Sequence, residues 1–195
     1  MHNLNAINFT YDSIKVISEK QFMVHMELYK GYVNKINEIW EKLSEDANRD
    51  EANATYSYYR GLKKGETYAL DGVILHELYF ANIGGDNKSP GEHTAMLLEK
   101  HFGSLENWVR DFIACGKAAR GWAMLAYDQR SKKLCNFLLD AHDEGVIVNA
   151  YPILIMDVYE HAYYIDYANK KDEYINNFMK DINWDVVNMR AMVLK

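Results

Sequence analysis

The stretch SEKQFMVHMELYKGYVNKINEIWEKL, residues 18–43, sets the plan of this chain. Its opening SEKQ has the pattern of a capping box, in which the Ser18 hydroxyl takes an orphan amide, Gln21 reaches back to the cap, and a helix begins. Phe22, His25, Tyr29, Tyr32, Ile36, Ile39 or Trp40, and Leu43 then recur every three or four residues, so one face stays largely apolar to about residue 44. The polar segment SEDANRDEANA at 44–54 reads as the exit and the connection. A second helical run is expected over 54–83, with Ala69, Val73, His76 and Phe80 on one face at spacings of four, three and four. Two long helices joined by a short polar link predict an antiparallel hairpin.

Working outward, GGDNKSPG at 84–91 concentrates helix breakers and divides the chain into a hairpin half, 1–85, and a second half, 86–195. Residues 92–102 and 104–115 read as helices separated by Gly103. The helical period then gives way to strand-like runs at 121–128, 134–141 and 151–158, with a polar turn at 129–133 between the first two. Helices are expected again over 160–167 and from 172 to the C-terminus. A helical hairpin followed by helices and a small sheet is an α+β plan.

The 195 residues suit one domain or two small ones sharing an interface, and 49% hydrophobic, 26% charged and 13% aromatic content is that of a globular protein. A formal charge of −6 argues against broad binding to a phosphate backbone, while leaving room for a local basic patch. Cys115 and Cys135 match no spaced zinc pair and read as thiols of a reducing compartment. Residues 1–18 lack the apolar run of a signal peptide and no stretch approaches the ~20 apolar residues of a membrane span, so a cytoplasmic protein is expected.

Seven histidines are present: His2, His25, His76, His93, His101, His142 and His161. His25 and His76 lie on the apolar faces of the two hairpin helices, and His161 follows Asp157 by four residues in DVYEH, just after an apolar strand. Imidazole with carboxylate suits first-row metals such as Mn, Fe and Zn. Taken singly, each histidine is as well explained by a hydrogen-bonded place in the core, and Asp157 by an ion pair or a helix cap.

The segments HMELYKGYVNKIN (25–37), HELYFANIGG (76–85), FGS (102–104), GWAML (121–125), DVYEHAYYIDY (157–167) and YINNFMKDINWD (174–185) together resemble the iron/manganese superoxide dismutase family, in order and separation, over essentially the whole chain. The resemblance implies an N-terminal helical hairpin followed by an α/β domain with a three-stranded antiparallel sheet. It implies metal ligands His25, His76, Asp157 and His161, one Mn or Fe ion per subunit, and conversion of superoxide to dioxygen and hydrogen peroxide. It also implies that Tyr32 and His142 serve proton supply, Tyr32 as the gateway residue and His142 in the place where many members carry a glutamine. Phe80, Trp122 and Tyr159 match positions that wall the metal pocket. Glu160, His161 and Tyr163 match the contacts of a homodimer.

Several residues depart from that family's pattern. Seven positions rather than eight separate His25 from Tyr32, which predicts a regular α-helix with no π-bulge between them. Tyr29 stands where a histidine is usual, so the link from that position to Tyr163 of a partner must change or vanish. Phe80 and Tyr159 replace tryptophans, and Lys170 and Lys171 replace a basic pair that is usually arginine and could steer an anion. Gly72, four residues before His76, occupies the place where iron-type members often carry the solvent-binding glutamine, which leans the pattern toward manganese or a metal-tolerant site, with His142 leaving the choice between Mn and Fe open. The alternatives are a dismutase-fold metal-binding or structural protein with little turnover and, less favoured because no general base stands out, a metal hydrolase.

Overall fold

A computed structural model describes residues 3–86 and 89–194; His2, and Asn87 and Lys88 of the boundary segment, lie outside the described residues. Helix α1 (Glu19–Ser44) begins where the capping pattern put it, with Ser18 Oγ accepting the Gln21 amide at 3.2 Å. The other half of the capping box does not form. Gln21 is fully buried and bonds across the fold instead, donating through Nε2 to the His161 carbonyl at 2.6 Å and accepting the Ile165 amide through Oε1 at 3.0 Å. The helix is regular α throughout, including the span from His25 to Tyr32, as the seven-residue spacing predicts.

Helix α2 (Tyr58–Ala81) starts four residues later than expected. The Asn53 side chain causes the delay: Oδ1 accepts the amides of Thr55 and Tyr56 at 3.1 and 2.9 Å, and Nδ2 donates to the Tyr56 carbonyl at 2.8 Å, building a turn that ends at the Ser57 cap. The two helices are antiparallel. Tyr29 reaches Glu77 and Trp40 reaches Glu66, so the partner number falls by eleven as the α1 number rises by eleven.

Helices α3 (Glu92–Phe102) and α4 (Leu105–Ala118) follow, separated by Gly103 at φ +85°, a left-handed cap that glycine adopts without penalty. Strands β1 (Trp122–Asp128), β2 (Lys133–Leu139) and β3 (Ala150–Asp157) form one antiparallel sheet in the order β2-β1-β3. After β3 the expected helix over 160–167 is two shorter pieces, a 3-10 turn at Glu160–Ala162 and α5 (Tyr164–Tyr167). The expected C-terminal helix is also split, into α6 (Lys171–Phe178) and α7 (Trp184–Ala191). The break holds Asp181, which is buried; its Oδ2 accepts the amides of Lys15 and Val16 at 2.7 and 2.9 Å, and its carbonyl accepts Gly84 N at 2.9 Å. Gly84 sits at φ +79°, where a Cβ would lie 2.6 Å from Ile14 Cγ1, so both backbone and space require glycine.

The feature that most directly positions the site is Asn82, just past α2 and fully buried. It behaves as a single residue of a fourth strand laid on the free edge of β3, donating to the Ile155 carbonyl at 2.9 Å and accepting the Ile155 amide at 3.0 Å. Arg190 of α7 adds to it, with Nη1 3.2 Å from both Asn82 Oδ1 and the Ile153 carbonyl, and Nη2 3.2 Å from the Leu78 carbonyl. This joint fixes the end of α2 two residues before Asp157, and His76 lies less than two turns back along the same helix. Asn82→Ala leaves the Ile155 amide and carbonyl buried and unpaired, and we expect it to cost about 2–4 kcal/mol; chemical denaturation of the wild type and variant side by side measures this.

Candidate metal centre

The hairpin supplies His25 and His76, β3 ends at Asp157, and the following 3-10 turn supplies His161. One donor atom from each lies within 4.8 Å of every other. Asp157 Oδ2 is 3.2 Å from His25 Nε2, 3.2 Å from His161 Nε2 and 3.7 Å from His76 Nε2. Donors held about 2.0–2.2 Å from a shared first-row ion stand roughly 3.0–3.7 Å apart when adjacent, so these three separations suit such an ion. His25, His76 and Asp157 are buried, and the His161 side chain retains 27% exposure.

Protonation reinforces the fit. His76 Nδ1 lies 2.5 Å from the Gly72 carbonyl, which can only accept, so the proton is on Nδ1 and the Nε2 lone pair faces the cluster. His25 Nε2 and His76 Nε2 are buried with no hydrogen-bond partner, an arrangement that is costly unless something electrophilic is bound. Burial pushes both imidazoles toward the neutral form, His76 down to about 3 with the His25 charge adding to the effect. For Asp157 burial acts upward, but the His161 charge and hydrogen bond, with His25 close by, outweigh it and hold the carboxyl well below the usual range. Three imidazole nitrogens and one carboxylate oxygen form a donor set suited to Mn or Fe.

Backing groups fix the ligand backbone. Tyr174 Oη donates to the Asp157 carbonyl at 2.8 Å and meets Tyr79 Oη at 3.1 Å, and Gln21 holds the His161 carbonyl. Sequence reasoning assigned no such role to Tyr79, Tyr174 or Gln21; Gln21 was hidden by the capping pattern it also satisfies. Phe80 packs edge-on to His25 with centroids 4.9 Å apart, Trp122 edge-on to His76 at 5.0 Å, and Tyr159 stacks on His161 at 5.1 Å and 19°. These are the walls anticipated from the motifs.

The family model for the C-terminal domain of iron/manganese superoxide dismutases matches residues 90–190. "Superoxide dismutase [Fe]" of Aquifex aeolicus is 44% identical over 182 residues, covering 91% of this chain and 85% of the relative. The chain belongs to the iron/manganese superoxide dismutase family. "Superoxide dismutase [Mn] 2" of Haloferax volcanii is 34% identical over 189 residues, 94% of this chain and 92% of the relative. "Superoxide dismutase [Fe]" of Cupriavidus metallidurans is 36% identical over 172 residues, 86% and 85% of the two chains.

Against that family's pattern, His142 is fully buried beside the cluster. Its Nδ1 accepts from Trp122 Nε1 at 3.0 Å and its Nε2 lies 2.8 Å from Tyr32 Oη. Tyr29 is turned wholly inward, donating to Glu77 at 2.7 Å and accepting the Ile7 amide at 2.9 Å. Tyr163 is only 4% exposed and stacks on Tyr174 at 5.0 Å, whereas its neighbour Tyr164 is 52% exposed. The lysine pair is engaged: Lys171 Nζ donates to the Ala119 carbonyl at 2.6 Å and Lys170 pairs with Glu173 at 3.4 Å. Lys171 therefore ties α6 to the end of α4 and is not a free charge for steering.

Gly72 explains how an imidazole fits where the family often has a glutamine. A Cβ at this position would stand 3.0 Å from Tyr32 Cδ1 and 3.2 Å from His142 Cδ2. A side chain here would require both rings to give by a few tenths of an ångström. Gly72→Ala should push Tyr32 and His142 apart while leaving the four ligands bound, so we expect full metal content with reduced turnover, checked by elemental analysis and assay on one preparation.

Proposed function

We propose that this chain is a superoxide dismutase with one Mn or Fe ion per subunit held by His25, His76, Asp157 and His161. The convergence of these four donors, two of them buried imidazole nitrogens without a protein partner, carries the reading. One superoxide ion gives up an electron and leaves as dioxygen, and a second takes up that electron and two protons and leaves as hydrogen peroxide, the bound ion storing the electron by cycling between 2+ and 3+. Gly72 leaves the hairpin side of the site without a glutamine, which leans the metal slightly toward manganese, while His142 on the other side keeps iron open. The division at residues 85 and 86 makes the ion a pin between two halves, each contributing two ligands.

The proton route follows from which atoms can donate. An indole N–H only donates, so His142 Nδ1 is an acceptor toward Trp122. Burial holds the His142 imidazole neutral, its pKa pushed down to about 4, and its single proton is therefore on Nε2 and is donated to Tyr32 Oη. Both nitrogens of His142 are thus committed. The Tyr32 hydroxyl, which accepts from His142 and lies beside Tyr68, has its pKa raised above the ordinary tyrosine value by burial and then by Tyr68, keeping it protonated through neutral pH. In this reading His142 orients Tyr32, and Tyr32 delivers the proton.

A homodimer is part of the proposal. His161 is the one ligand with appreciable exposure, and beside it α1 and α5 present Met23, Val24, Tyr164 and Ile165, each 44–52% exposed. A two-fold partner would cover this face and bring Glu160 against the opposite His161. Tyr163 stays part of the proposed interface through the small fraction of its side chain that reaches the surface, with the more exposed Tyr164 beside it. We place the protein in the cytoplasm and do not assign it a nucleic-acid partner, in keeping with its −6 charge; no helix among the described residues is long and apolar enough to cross a membrane.

Metal analysis and superoxide removal measured on one purified preparation test the function. Activity proportional to Mn or Fe content is expected, and retained metal with negligible turnover would instead establish a binding or structural role consistent with the changes at Tyr29, Phe80 and Tyr159. Tyr32→Phe removes the proton donor and leaves the His142 N–H buried without an acceptor, a penalty of about 1–3 kcal/mol. We expect slower turnover at high superoxide, where protonation of product limits the rate, with metal content unchanged; pulse radiolysis separates the two half-reactions.

A further inference from the structure

A cavity of about 520 Å³ lies away from the metal cluster, among the end of α3, the β1–β2 hairpin, β3 and the final residues. That is within the range of small-molecule sites. Its polar lining is cationic or neutral: Lys100 and His101 from α3, Lys132 from the hairpin turn, and Gln129, with no acidic residue. In a chain of net charge −6 this is a local reversal.

The charges are also uncompensated. The ammonium groups of Lys100 and Lys132 have no ion-pair or hydrogen-bond partner among the described residues, in contrast to Lys30, Lys35, Lys42, Lys63 and Lys117, each of which pairs with a carboxylate. Asp128, the carboxylate closest in the hairpin, is turned to the amides of Arg130 and Ser131 at 3.0 and 3.1 Å. His101 is driven toward its neutral form by burial and then by Lys100 and Lys133, with no acidic group opposing them. The rest of the cavity is flat and apolar. Tyr127 of β1 and Tyr151 of β3 are Cα partners on adjacent strands, so their rings stand on the same face of the sheet, with Leu97 and Leu194 beside them.

We propose that this cavity binds a phosphorylated small molecule bearing a planar ring, of the nucleoside diphosphate class, with the phosphates on Lys100, Lys132 and His101 and the ring on the Tyr127 and Tyr151 face. Ammonium groups from two separate elements suit the several oxygens of a diphosphate, and paired tyrosines suit an aromatic ring. The site is independent of the dismutase chemistry.

Isothermal titration of the metal-loaded full chain with ADP tests it, alongside the same titration of a Lys100→Glu/Lys132→Glu variant. Saturable binding of one ADP per chain is expected, weakened at least about tenfold in the variant, with dismutase activity equal in both proteins. Pyrophosphate and adenosine should each bind more weakly than ADP. Absence of binding at millimolar ADP overturns the proposal, as does ADP binding that persists in the variant, which would mean chelation of the active-site ion or non-specific association. Pyrophosphate as tight as ADP overturns the assignment of the ring to the tyrosine face.

Discussion

A carboxylate removed from water has to find positive charge, and Asp157 is fully buried at the point where β3 runs out. Transferring an ionised carboxyl into the interior costs several kcal/mol unless it is paired. Here the surroundings are three imidazoles, two of them forced neutral by their own burial. Neutral imidazoles cannot balance the charge. A 2+ or 3+ ion can, and the same ion satisfies the nitrogen lone pairs that would otherwise be unpaired. A bound cation would therefore stabilise this cluster relative to the bare protein.

Most of what holds Asp157 and His161 in place also joins the two halves of the chain. Asn82 extends the sheet edge two residues before it, Tyr174 holds its carbonyl, and Gln21 holds the carbonyl of His161. Each of these contacts links segments more than fifteen residues apart, and Gln21 links segments 140 apart. Ser18 repeats the connection at the surface, with its amide and hydroxyl bonded to Asp166 at 2.6 and 2.7 Å.

Much of this architecture is written in local patterns. The spacing from Phe22 to Leu43 gives α1, Gly103 marks a cap, and the apolar runs give all three strands to within one or two residues. The cluster of His25, His76, Asp157 and His161 was legible through motif resemblance, since a histidine on an apolar helix face is chemically ambiguous until its partners are known. What local pattern could not show is where polar side chains go when two destinations compete. Gln21 completes a capping box on paper but is worth more bridging two buried backbone groups. Asn53 delays α2 by forming a turn that propensity alone does not reveal. Asp181 breaks the C-terminal helix because its carboxylate is needed by Lys15 and Val16, 166 and 165 residues away. The inward turn of Tyr163 and outward turn of Tyr164 is likewise a tertiary outcome, as both sit in the same motif.

The distance between Gln21 and His161 along the chain has a temporal meaning. A ribosome delivers the hairpin long before it delivers β3, so His25 and His76 emerge without Asp157, without His161 and without the groups that bury them. Contacts of such separation form late and slowly. The emerging hairpin can offer a passing cation only two neutral ligands, too few to hold it firmly. A cluster of all four donors is thereby complete only after residue 161 has been made, when the fold closes around it.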